Sequence, residues 1–151
     1  MFSTNAIYGK GGEAENLQDL IDTLGAGDFI QLRGHADLRD VYPQYELYVT
    51  TSQWETFGLT LMEAVGAGLA LVGFDARYGN PTFIKDGENG YLVPYIETMD
   101  EDLLVSQMAD KIVFALESDL ESMHQASYEL AKQYLKLEIL EAWRKLLIAI
   151  R

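Results

Sequence analysis

The sequence predicts an α/β fold: a parallel sheet flanked by helices, with a helical C-terminus. Three observations carry this. The apolar run Leu47-Tyr48-Val49, a helical pattern from Leu59 to Ala67 ended by Gly68, and a second apolar run from Leu69 to Phe74 make a strand–helix–strand unit. Upstream, the same alternation occurs once more. From Met99 to the end, apolar residues recur at helical spacing.

Composition sets the outer limits. The chain has 151 residues, 48% hydrophobic and 23% charged, which predicts one domain over 1–151 with a substantial core. The formal net charge of −13 argues against nucleic acid or an anionic membrane as partner. With no Cys, disulfides, thiolate metal sites and nucleophilic Cys chemistry are excluded, which fits a cytoplasmic protein. No apolar run reaches the ~18 residues of a membrane span. The N-terminus, Met1-Phe2-Ser3-Thr4-Asn5, has neither the basic region nor the apolar core of a signal peptide.

In chain order, residues 3–8 read as a strand, and the glycines at 9, 11 and 12 as a turn into a helix from about Glu13. That helix carries Leu17, Leu20, Ile21 and Leu24 at i, i+3, i+4, i+7, and Gly25 and Gly27 stop it. The glycine cluster lacks the spacing and the closing Gly-Lys-Ser/Thr of a phosphate-binding P-loop. Residues 28–33 read as a strand with Gly34-His35 at its C-terminal end, where open α/β sheets place ligands. His35 is therefore a candidate contact to a nucleotide or sugar; a His bonded to a loop carbonyl is the equal alternative. Residues 37–43 form a short helix ended by Pro43.

After the central unit, 75–80 form a loop whose only cation is Arg77, expected to pair with a surface acid. Residues 81–85 make a short helical turn, Asp86-Gly87-Glu88-Asn89-Gly90 a turn, and Tyr91-Leu92-Val93 the last strand. Three helices follow. The first carries Leu104, Met108, Ile112, Val113 and Leu116, the second runs from about Asp119 to Tyr134, and the third carries Leu137, Leu140, Trp143, Leu147 and Ile150. Trp143 is expected in the core and His124 on the surface.

The chemistry concentrates at Trp54-Glu55-Thr56-Phe57-Gly58-Leu59, where a helix starts. Two carboxylates, Glu55 and Glu63, stand eight positions apart. The free N–H groups and positive dipole end at Phe57-Gly58-Leu59 favour a phosphate, and Gly58 lets it approach the backbone. Ionised glutamates repel phosphate and accept from hydroxyls instead. A ligand with phosphates in the middle and hydroxyl-rich rings on either side fits, and a sugar nucleotide has that layout. Thr60 and Glu63 also match the S/T-x-x-E capping box, so Glu63 as a helix cap and Glu55 as an ordinary loop acid stand as alternatives.

The run Ser52-Gln53-Trp54-Glu55-Thr56-Phe57-Gly58-Leu59-Thr60-Leu61-Met62-Glu63-Ala64 closely resembles the E-x7-E signature of glycosyltransferase family 4, retaining enzymes of GT-B fold. The likeness continues through Gly73-Phe74-Asp75, Tyr78-Gly79-Asn80-Pro81-Thr82-Phe83-Ile84 and Asp86-Gly87-Glu88-Asn89-Gly90-Tyr91-Leu92-Val93. The wording from Tyr78 to Ile84 looks especially like the accessory-Sec glycosyltransferases that modify serine-rich adhesins. The resemblance implies a Rossmann-like, nucleotide-sugar-binding C-terminal half of a GT-B enzyme. It implies Glu55 as the catalytic residue facing the donor sugar. Donor contacts would come from His35, Thr56, Phe57, Gly58, Leu59 and Glu63, the last on the ribose. It implies no cofactor and no metal.

Against that pattern the first strand and helix, with their basic Arg–Lys pair, are missing, as is the N-terminal acceptor-binding domain. The chain is therefore expected to be a fragment that is inactive alone, and its unpaired strand edges are expected to drive self-association. The function implied is transfer of a sugar, N-acetylglucosamine foremost, from a UDP-sugar to Ser or Thr of a serine-rich surface protein. Two alternatives stand: a related non-catalytic subunit that recognises the acceptor, and a glucosyltransferase acting on teichoic acid or polysaccharide. The paired glutamates favour the enzyme over the non-catalytic subunit.

Overall fold

The computed structural model describes residues 5–150. Within the expected single domain the chain clusters into two compact units, Met1–Val41 and Tyr42–Arg151.

In the first unit, β1 (Asn5–Tyr8) and β2 (Ile30–Gly34) pair in parallel, connected through α1 (Ala14–Thr23), and α2 (Leu38–Val41) follows. Positions 3 and 4 of the expected first strand lie outside the described residues. β2 begins two residues later than expected. The amides of Phe29 and Ile30 both bond to the Ala26 carbonyl (3.1 and 2.9 Å), which makes 26–29 a turn. Of the α1 stripe only Ile21 is buried; Leu17, Leu20 and Leu24 are exposed, because two short strands offer little cover.

The second unit opens with a 3-10 turn (Tyr42–Gln44). It continues with β3 (Leu47–Thr50), α3 (Leu59–Gly66), β4 (Ala70–Phe74), α4 (Gly79–Phe83), β5 (Gly90–Val93) and α5 (Glu101–Glu117). Then come α6 (Leu120–Ala131), a 3-10 turn (Lys132–Tyr134) and α7 (Lys136–Ala149). The sheet is parallel, in the order β3-β4-β5. Every residue of β4 is buried, as a parallel strand covered on both faces must be. Val72 and Phe74 join Val93, Leu104, Met108 and Ala115 in the core beneath α5. Leu71 points the other way and is fully buried too, on the side where α3 and α6 meet β4.

A buried polar tie supports this layer. Asn89 accepts from the Lys85 amide (2.7 Å) and donates to the Phe83 carbonyl (3.0 Å) and to Ser127 Oγ (3.2 Å). Ser127 in turn donates to the Leu69 carbonyl (2.7 Å). α5 and α6 start at true side-chain caps: Asp100 accepts from the Leu103 amide and Asp119 from the Ser122 amide, each at 3.1 Å.

Four expectations need correction. Pro43 does not end the local helix: α2 stops at Val41, and Pro43 sits inside the following 3-10 turn. α4 starts at Gly79, with Pro81 in its first turn, where a missing N–H is harmless. On α5, Ala115 is buried while Val113 and Leu116 are exposed. On α7 no residue is buried, and Trp143, expected in the core, is 58% exposed. Its apolar stripe marks a face suited to burial, but no element among the described residues covers it. Among the described residues no helix is long and apolar enough to cross a membrane.

Candidate functional site

The loop leaving the C-terminal end of β3 runs from 51 to 58 and delivers the chain to α3. Gly58 is the N-cap, with φ 86° and ψ 66°, and Leu59 is the first helical residue. That register places Thr60 second and Glu63 fifth in the helix. A capping box needs the Thr at the N-cap and the Glu third, so the cap reading of Glu63 is excluded. No side chain caps α3, which leaves the amides of its first turn for a ligand or water. Leu59 and Phe57 are exposed, and Phe57 sets its ring edge against Phe83 at 5.3 Å. Thr56 is exposed as well.

Glu55 is half-buried and bonded across to the loop after β4. Its amide donates to the Arg77 carbonyl (3.2 Å), and its carbonyl accepts from the amides of Tyr78 (2.6 Å) and Gly79 (2.7 Å). Trp54 and Tyr78, which flank this bridge, are both exposed and meet edge to face at 6.3 Å. Glu63 is exposed, at the fifth position of α3. Beneath it lies a floor that sequence reasoning missed. The Tyr42 hydroxyl donates to the Thr60 carbonyl (3.1 Å) and reaches Glu63 Oε2 at 3.4 Å. The Tyr48 hydroxyl donates to Thr60 Oγ1 (3.0 Å), and the two tyrosine rings meet edge to face at 6.2 Å. Nothing local in the sequence marks the tyrosines at 42 and 48, and only the tertiary contacts reveal the roles of their polar ends.

The electrostatics tie the two glutamates to one place. Burial pushes the Tyr48 phenol up, and the charges of both Glu55 and Glu63 add to this, against the bond to Thr60. Burial likewise raises the Tyr42 phenol, with Tyr48 and Glu63 contributing. The result is an uncapped helix start, with two carboxylate side chains around a tyrosine floor. An anion suits the helix start, and hydroxyl donors suit the carboxylates.

Of the candidate residues, the second unit brings together Glu55, Thr56, Phe57, Gly58, Leu59 and Glu63. His35 belongs to the first unit, exposed on the segment after β2 and near Asp37. The Arg39 side chain, bonded to the Asp37 carboxylate, holds that carboxyl down at about 2. Arg77 is exposed and makes no ion pair among the described residues, so the expected pairing with a surface acid does not form. His124, expected on the surface, is half-buried, with Nε2 2.8 Å from the Glu46 carbonyl. No three metal-ligating side chains gather among the described residues.

Comparison with known proteins adds to this geometry. A UDP-N-acetylglucosamine–peptide N-acetylglucosaminyltransferase GtfA subunit from Streptococcus gordonii is 49% identical over 146 residues, covering 96% of this chain and 29% of that protein. The crystal structure of the pneumococcal O-GlcNAc transferase GtfA in complex with UDP and GlcNAc is similar at 49% identity. Its TM-score is 0.88, over 97% of this chain and 29% of that one. A GtfA/B complex structure gives a TM-score of 0.90 at 49% identity, over the same shares. The chain thus spans about 29% of the length of these relatives. Its parallel sheet flanked by helices is the Rossmann-like layout expected of part of a GT-B enzyme. The model of the family described as glycosyl transferases group 1 matches residues 4–133, a stretch that holds both glutamates and the helix start between them, and the chain belongs to that family.

Proposed function

We propose that this chain is the donor-binding part of a retaining glycosyltransferase that moves N-acetylglucosamine from UDP-N-acetylglucosamine to Ser or Thr of a serine-rich surface protein. One observation carries the reading: Glu55 and Glu63 share the neighbourhood of an uncapped helix start at Gly58-Leu59, with Glu63 freed from any capping role. The names of the similar proteins support the sugar and the peptide acceptor.

In this reading the amides at Phe57, Gly58 and Leu59 meet the sugar and phosphates. Glu63 accepts from the ribose hydroxyls, and Glu55 is the catalytic residue at the reacting face of the sugar. Thr56 lines the same loop. Catalysis comes from positioning and from stabilising the charge on departing UDP, without a metal. The protein works in the cytoplasm. A related second subunit is its partner, a reading supported by the similar chain solved in a GtfA/B complex. The isolated 151-residue chain is inactive but binds the donor.

The test is a fluorescence titration with UDP, UDP-glucose and UDP-N-acetylglucosamine. Trp54 is 72% exposed beside Glu55 and serves as reporter. Saturable binding, strongest for UDP-N-acetylglucosamine and weakened about tenfold or more in Glu63→Ala, is expected from the loss of charge-assisted bonds to ribose. Glu63→Ala with unchanged affinity would remove the ribose role. Stronger binding of UDP-glucose would redirect the reading to a glucosyltransferase.

A further inference from the structure

Glu55 is held more tightly than a loop acid needs to be. Besides the three backbone bonds that tie it to Arg77, Tyr78 and Gly79, the loops on both sides of that bridge share one buried anchor. Asn80 has no exposed surface, and its Nδ2 donates to the carbonyls of Ser52 (3.2 Å) and Phe74 (2.8 Å). The approach to Glu55 and the end of β4 are therefore fastened together one residue from Gly79.

Position 79 is where the stem of Glu55 lies. A Cβ added there would stand 2.6 Å from Glu55 Cγ and 2.6 Å from the Phe57 carbonyl oxygen. Both distances are shorter than nonbonded atoms tolerate. The glutamate stem can rotate away, but the Phe57 carbonyl belongs to the backbone that leads into Gly58. The requirement for glycine is one of space.

We propose that Gly79 is a positioning residue: by presenting no side chain, it seats the Glu55 stem against the Tyr78–Gly79 backbone and aims the carboxylate at the sugar of a nucleotide-sugar donor. This rests on the donor-site reading above. An added methyl group turns the carboxylate away or shifts 55–57, and either change spoils the aim. UDP lacks the transferred sugar that Glu55 would meet, so the effect appears in the preference for UDP-N-acetylglucosamine over UDP.

The experiment is calorimetric titration of the 151-residue chain with both ligands, for the wild type, Gly79→Ala, Glu55→Ala and the double variant. The wild type should prefer UDP-N-acetylglucosamine. Each single variant should lose about tenfold of that preference, the scale of one hydrogen bond to a charged group. The double variant should lose no more than Glu55→Ala alone, because Gly79 acts through Glu55. A folded Gly79→Ala that keeps the full preference overturns the inference and leaves the donor site standing. Additive losses in the double variant overturn it too, as does a wild type that binds both ligands equally. A wild type that binds neither ligand overturns the donor-site reading as well. If Gly79→Ala does not fold, hydrogen exchange on the wild type decides. UDP-N-acetylglucosamine, and not UDP, should slow exchange at the amides of Tyr78 and Gly79, and unchanged exchange overturns the inference.

Discussion

Replacing Gly58 by Ala tests the helix start directly. The N-cap backbone is left-handed, at φ 86° and ψ 66°. A residue with a Cβ costs about 1–2 kcal/mol there. The new Cβ would also stand 2.7 Å from Leu61 Cδ1 and 3.2 Å from Glu55 Cγ. Leu61 is 1% exposed, so it has little room to yield. Forcing it off its rotamer adds about 1 kcal/mol. The sum is about 2–3 kcal/mol, a large share of the stability of a chain this size. The assay is urea unfolding followed by circular dichroism, which reads the helices rather than the exposed tryptophans. Gly58→Asn separates the two terms: Asn tolerates the left-handed region yet keeps the Cβ, so it should lose less than Ala. A loss below about 0.5 kcal/mol for Gly58→Ala, on the scale of an ordinary surface change, would refute both the left-handed cap and the packing against Leu61.

Three further outcomes follow from the same geometry. Asn89→Ala strips the part-buried Lys85 amide and the buried Phe83 carbonyl of their partner, and should destabilise the chain by about 2–4 kcal/mol in urea unfolding. The raised Tyr42 and Tyr48 phenols predict alkaline sensitivity. Their folded pKa lies above the ordinary value near 10, so their contribution is complete below about pH 10 and is lost as pH rises beyond it. Tyr42→Phe should therefore flatten the alkaline fall in stability, measured by thermal melts from neutral pH upward; an unchanged slope would contradict the buried phenol. Self-association is expected from the β3 edge, which pairs only with β4 among the described residues, and from the uncovered apolar residues of α7. Because the net charge is −13, association should strengthen with salt. A monomeric sedimentation profile across a wide concentration range, in low and high salt, would count against it.

The central strand–helix–strand unit was legible because its signals are local. An apolar run, a helical period and glycines at 58 and 68 each act within a few residues. Glu55 and Glu63 were legible as a pair because spacing along the chain survives folding. Their surroundings were not. The cap of α3 turned on whether the helix begins at Leu59 or after Thr60, and a one-turn pattern fits either; the left-handed Gly58 decides it. The α7 stripe shows the complementary failure, since periodicity marks which side of a helix is apolar but not whether anything lies against it.

By itself, then, the sequence determined the alternation of strands and helices, the parallel sheet, and the presence of an anion-friendly helix start with a carboxylate on each side of it. These depend on backbone preference and on side-chain period, which act over short distances along the chain. Tertiary structure alone decided what holds those carboxylates: the Tyr42–Tyr48 floor reaching Thr60 and Glu63, and the Tyr78-Gly79 backbone against Glu55. The two tyrosines reach Thr60 and Glu63 across 12 to 21 positions of chain, and the Tyr78-Gly79 backbone meets Glu55 where β3 and β4 pair and bring the loops at their C-terminal ends side by side.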